Sequence, residues 1–234
     1  MRQDIFQDIA TAPAQHSRRN LLKVGSASLA ALMLADVHQA FAQVGLPGLS
    51  GGINGGTFGV GDVAILNYAY ALEQLEAAFY TAVLERPYNG MSRGEQDLLV
   101  GIRDHEIAHR EFLKQALGGN ALPDLEVDFS RVDGASRQSV LTAARSFEDL
   151  GVSAYNGAGQ LLSNPQYLAA AGSIVSVEAR HAATIRDLIS PRSSSFAGSD
   201  IVDGQGLDEA RLPSQVLPKV KPYVLTPINP GQLP

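Results

Sequence analysis

The chain has 234 residues, 45% hydrophobic and 18% charged, with no cysteine and no tryptophan. That is ordinary globular composition with chain enough for one sizeable core, and the missing cysteines exclude disulfides and thiolate ligands, leaving oxygen and nitrogen donors for any metal. The formal net charge of −6 argues against nucleic acid or an anionic membrane surface as a partner.

The amino terminus reads as a targeting segment, not as core. Ser17-Arg18-Arg19-Asn20-Leu21-Leu22-Lys23 leads into twelve uncharged, small-residue-rich positions, Val24 to Ala35, and Ala40-Phe41-Ala42 offers small residues for cleavage. The run is too short to span a bilayer. It resembles a twin-arginine export signal, with Ser17, the arginine pair, Leu22 and Lys23 in their usual places and Leu21 at a position often Phe. Residues 1–42 are therefore expected to be a signal peptide, and the protein to be exported to a periplasmic or extracellular location with no membrane span in the mature chain. Cleavage after Ala42 would remove Arg2, Arg18, Arg19 and Lys23 with Asp4, Asp8 and Asp36, leaving 14 basic against 21 acidic residues, a net of −7.

Residues 43–61 carry eight glycines and read as a flexible leader. A first helix is expected over 62–85, with Asp62 as N-cap and Arg86-Pro87-Tyr88-Asn89-Gly90 as its stop. A second opens at Ser92, with Glu95 three residues on as a capping box, and ends at Gly118-Gly119. Residues 120–135 have no helical period and predict a longer connection crossing the bundle. A third helix runs from near Ser136 to about Leu162, and Asn164-Pro165 caps a fourth that reaches Ser190. The tail, 191–234, is studded with prolines and expected to be extended, not helical, its Val216, Val220, Tyr223, Val224, Leu225 and Ile228 wrapping the bundle or a partner subunit. Four long helices joined short, long, short predict an all-α fold, a four-helix bundle with one crossover over 62–190.

Two helices push charge inward. The stripe Ile174, Glu178, His181, Ile185, Leu188 has Glu-x-x-His at its middle, and Leu99, Ile102, Glu106, His109, Leu113 repeats the figure. A buried ionised carboxylate is costly unless something positive answers it, and neither stripe offers Lys or Arg, so a metal cation is indicated. The other two helices each add an inward carboxylate, Glu73 with Tyr80 seven residues later and Glu148 with Tyr155 seven residues later. Glu73, Tyr80, Glu106, His109 and Glu148, Tyr155, Glu178, His181 thus look like two copies of one helical hairpin.

One Glu from each of two helices and one Glu-x-x-His from each of the others is the figure of the ferritin-like di-iron or di-manganese carboxylate proteins. With LEQLEAAFY in the first helix and FEDLGVSAY in the third, the chain resembles the secreted ferritin-like group that includes desiccation-related proteins. The resemblance implies two divalent metal ions, iron ahead of manganese, with Glu73, Glu106 and His109 on one and Glu148, Glu178 and His181 on the other, Glu106 and Glu178 bridging. Glu76 has Gly151 as its counterpart and stands as an extra ligand, a proton shuttle or a surface residue at the edge of the stripe. Tyr80 and Tyr155 either orient the carboxylates or are ordinary core tyrosines, and His105, about 100° around the helix from Glu106, is expected to be exposed.

The leading function is oxidation of ferrous iron with dioxygen or peroxide, in stress protection. A manganese-catalase-like disproportionation of peroxide and a non-enzymatic stress protein with a structural metal site are the alternatives. A hollow storage shell is disfavoured by the arm and tail, and a homodimer is admissible.

Overall fold

The structure, a computed structural model, describes residues 56–231 with 233 and 234. The expected signal, 1–42, and most of the glycine-rich leader lie outside the described residues. Among the described residues there are five α-helices: α1 Gly61–Glu85, α2 Arg93–Leu117, α3 Arg137–Gly159, α4 Pro165–Ile189 and α5 Pro213–Val220. There is no β-strand among the described residues, only isolated bridges, and no described helix is long and apolar enough to cross a membrane.

The helix boundaries follow local chemistry. Ser92 and Glu95 form the reciprocal capping box that opens α2, Ser136 accepts from the Ser139 N–H at α3, and Asn164 accepts from the Gln166 N–H at α4, ahead of Pro165. α2 ends at Gly118, whose φ of 54° suits a residue without a side chain. The first helix departs from expectation. Its N-cap is Val60, which makes no side-chain cap. Asp62 instead accepts from the Ser163 and Asn164 N–H groups at 2.8 and 2.9 Å, tying the α3–α4 turn to the start of α1.

α1 packs closely along α2 and α3 along α4, while the contacts between the two hairpins, α1 with α3 and α2 with α4, are sparser. Contacts across the bundle give the direction of the second hairpin. Tyr80 of α1 reaches Glu148 of α3 and Tyr155 of α3 reaches Glu73 of α1, so the two helices run antiparallel. α3 must therefore begin at the end of the bundle opposite to where α2 stops. The connection 121–136 covers that length along α1: the Leu122 N–H bonds to Asn67, the Leu125 N–H to Gln74, and Phe129 packs on Phe79. This is the crossover that the aperiodic stretch implied.

The tail lies against the bundle. Val216 and Val220 are fully buried, and Tyr223, Val224 and Ile228 pack on the core, whereas Leu225 faces outward. The Arg211 N–H bonds to the Ser153 carbonyl at 2.8 Å, and the tail backbone sits so close to α3 that a Cβ on Gly157 would fall 1.9 Å from the Arg211 carbonyl oxygen. The expectation of a tail without helix fails at α5, and also at short 3-10 turns over Ser194–Ala197 and Lys221–Tyr223. Pro213 takes the first helical position, where its missing N–H is not needed, Gln215 accepts from the Leu212 N–H, and burial of Val216 and Val220 four residues apart rewards the helical turn.

Candidate metal centre

The six residues singled out by the two stripes and their partners converge at mid-bundle. Glu73, Glu106, Glu148 and Glu178 are 0% exposed, His181 is buried at 4%, and the His109 side chain is almost covered. Their donor atoms form two groups, each with atoms within 4.8 Å of one another. Glu73, Glu106, His109 and Glu178 make the first, Glu106, Glu148, Glu178 and His181 the second. Glu106 and Glu178 belong to both.

The way the oxygens are used is more telling than their proximity. Tyr155 donates to Glu73 Oε1, and Tyr80 donates to Glu148 Oε1 at 2.5 Å. Glu73 Oε2 and Glu148 Oε2, both oxygens of Glu106, both of Glu178, and Nδ1 of His109 and His181 are buried and have no hydrogen-bond partner. His109 Nδ1 lies 3.0 Å from Glu178 Oε1 and 3.4 Å from Glu73 Oε2, and His181 Nδ1 lies 2.7 Å from Glu106 Oε1, yet none of these approaches has hydrogen-bond geometry. Eight orphaned donor atoms aim at a shared centre and not at one another. Buried polar groups are otherwise satisfied in proteins, so a cation is what this arrangement can accept.

The electrostatics point the same way. Burial, with the charges of Glu178 and Glu106 beside it, pushes the Glu76 carboxyl far up, and burial with Glu106 and Glu73 does the same to Glu178. Burial also pushes Glu106 up to about 7. His181, though burial opposes its charge, is raised to about 10 by the Glu106 and Glu148 carboxylates that face it. Without a cation the cluster holds protons that its residues would otherwise lose.

Glu76 is buried at 4%, which removes the surface alternative, but it belongs to neither donor group. Its carboxylate occupies space that Gly151 leaves: a Cβ there would lie 3.1 Å from Glu76 Oε1 and 3.3 Å from Glu178 Oε2. The glycine opposite the duplicated position is what admits a fifth carboxylate beside Glu178.

His105 is exposed as expected, and it makes a contact that its own helix did not foretell. Its Nδ1 lies 2.9 Å from His181 Nε2 and the two rings stack, 5.1 Å between centroids and 10° between planes. Geometry on one helix placed it away from Glu106, whereas α4 approaches on that side. Burial and the charge of His181 hold its pKa below the ordinary histidine value, which favours the neutral ring. A metal at His181 Nδ1 would put that ring's proton on Nε2, where His105 Nδ1 can accept it. The signal was a histidine next to Glu106 with Val177 at the matching place in the other copy.

Comparison with known families places the bundle. A ferritin-like domain profile matches residues 61–191, more than half of the chain. The chain belongs to the ferritin-like domain family. No curated protein matches the sequence. The ferritin-like match begins and ends with the four long helices, and the tail that packs on them follows it.

Proposed function

We propose that this ferritin-like protein binds two divalent metal ions at mid-bundle and oxidises ferrous iron there. The observation that carries the proposal is the distribution of unpaired oxygens. Glu73 and Glu148 each have one oxygen held by a tyrosine and one free, as a ligand to a single metal needs. Glu106 and Glu178 each have both free, as bridging ligands need. In this reading Glu73, Glu106, His109 and Glu178 take one ion, and Glu106, Glu148, Glu178 and His181 the other.

Four ionised carboxylates match the charge of two divalent cations, and the two imidazoles leave coordination positions for an oxidant. Two Fe²⁺ lose one electron each. Dioxygen gains both with two protons and leaves as hydrogen peroxide, or hydrogen peroxide gains both with two protons and leaves as two waters. Tyr80 and Tyr155 hold Glu148 and Glu73 in place, and Glu76, whose proton burial retains in the metal-free cluster, would release it and add a negative charge near Glu178 as the iron becomes Fe³⁺. Export by the residues 1–42 signal is part of the proposal and is supported by the arginine pair and the apolar run that follows it.

Full-length metal-free protein should oxidise added Fe²⁺ at least tenfold faster than buffer, and Glu106→Ala should return the rate to that of buffer. A wild-type rate no faster than buffer would end the iron reading. Steady peroxide consumption by the manganese-loaded protein, without Fe²⁺ oxidation, would move the assignment to manganese.

A further inference from the structure

A second feature lies on the bundle axis next to the centre. Ala69, Phe112, Tyr155 and Ile174, one from each long helix, line a cavity of about 20 Å³ together with Leu72 and Ala154. Each helix places this wall close to its own donor. Ala69 and Ile174 stand four residues before Glu73 and Glu178, Phe112 stands three after His109, and Tyr155 is the residue that holds Glu73. The cavity therefore abuts the Glu73, His109, Glu178 side of the centre. Phe112 of α2 and Ala171 of α4, both in its lining, are only half-buried and so form part of its rim.

We infer that this cavity is a holding site for dioxygen, which reaches the metal centre through it. The inference rests on the iron-oxidation reading and names the oxidant. Size restricts the occupant to about one water or one diatomic molecule. Chemistry removes the water. A buried water typically needs about three hydrogen bonds, and the wall is almost all carbon. The Tyr155 hydroxyl is committed to Glu73, and the buried, unpartnered hydroxyl of Tyr68 would give a water one hydrogen bond where it needs about three. Hydrogen peroxide, with two donors and four lone pairs, fits no better than water. Dioxygen is apolar, needs no hydrogen bond and prefers hydrocarbon to water. Small side chains at Ala69, Ala154 and Ala171 keep the space open where Leu or Phe would close it.

Xenon, an apolar probe of similar size, reads the cavity without any metal. Crystals of the full chain under xenon pressure should show one site among Ala69, Ala154 and Ile174. Ala171→Phe, at the half-buried rim, should slow oxidation of the Fe²⁺-loaded protein by dioxygen at least tenfold. The same variant should leave its Fe²⁺ content and its single-turnover rate with hydrogen peroxide within twofold of wild type. An ordered water in the cavity or no xenon there overturns the inference and leaves iron oxidation standing. So does an equal loss with both oxidants, or no loss with either. Xenon bound in a protein that oxidises Fe²⁺ with neither oxidant overturns the iron reading, and with it the role given to dioxygen.

Discussion

Glu106 and His181 set how the metal-free protein should respond to pH. Glu106 is pushed up to about 7 from an unfolded value near 4.3, and His181 up to about 10 from about 6.5. Between those values the folded chain holds more protons than the unfolded chain, so stability falls as pH rises. Thermal unfolding in the presence of a chelator should give a Tm that declines from about pH 5 to 9. Divalent metal, which binds the deprotonated ligands, should remove the decline. A metal-free Tm that is flat or rising over that window contradicts the picture of a proton-holding cluster. Glu76 gives a second test. Glu76→Gln keeps the volume and removes the charge, so Fe²⁺ loading should persist while oxidation slows by about tenfold, equivalent to about 1.4 kcal/mol in the barrier. Loss of loading instead would make Glu76 a ligand to the metal. At this scale the sequence was legible where spacing repeats: the two Glu-x-x-His pairs and the two Glu-to-Tyr steps of seven place all six donors and both tyrosines. It was not legible where contact depends on a neighbouring helix. His105 touches His181 because of how α4 approaches α2, and each tyrosine serves the carboxylate of the opposite hairpin, which no spacing within one helix can reveal.

Among the elements, α4 carries the attachment of the tail. Arg186, buried at 4%, donates to Asp149 at 2.7 and 2.8 Å, to Asp200 at 2.8 and 3.1 Å, and to the Ser195 carbonyl at 3.1 Å. Removing one partner of a buried ion pair leaves charge uncompensated, though Asp200 is open to solvent and recovers part of its hydration. Arg186→Ala should therefore lose about 2–3 kcal/mol in chemical denaturation and expose the segment around residue 200 to protease while the metal centre persists. Denaturation unchanged within about 0.5 kcal/mol would show that this cluster holds nothing in place. Helix ends were legible where capping chemistry is local, at Ser92, Ser136 and Asn164. Asp62 misled because its carboxylate has a better use: two N–H groups a hundred residues away, at Ser163 and Asn164. The helix at Pro213–Val220 was hidden by its prolines, since a first-turn proline permits a helix and the reward for forming it, burial of Val216 and Val220, is tertiary.

Over the whole molecule, two similar hairpins face each other antiparallel and bring four carboxylates and two imidazoles into one buried interior. The number of long helices, their order and the long crossover could be read from periodicity and from the aperiodic stretch at 120–135. The course of the crossover along α1 could not, because it depends on which end of the bundle α3 must start from. The shared position of Glu106 and Glu178 makes a demand that single-site explanations do not. Metal content per chain, measured on wild type, Glu73→Ala and Glu178→Ala after loading with Fe²⁺ without oxygen and removal of excess, tests it most directly. Two ions in wild type, one retained in Glu73→Ala and almost none in Glu178→Ala are expected from the two overlapping donor groups. Equal metal in all three folded proteins would contradict a dinuclear centre held by these residues.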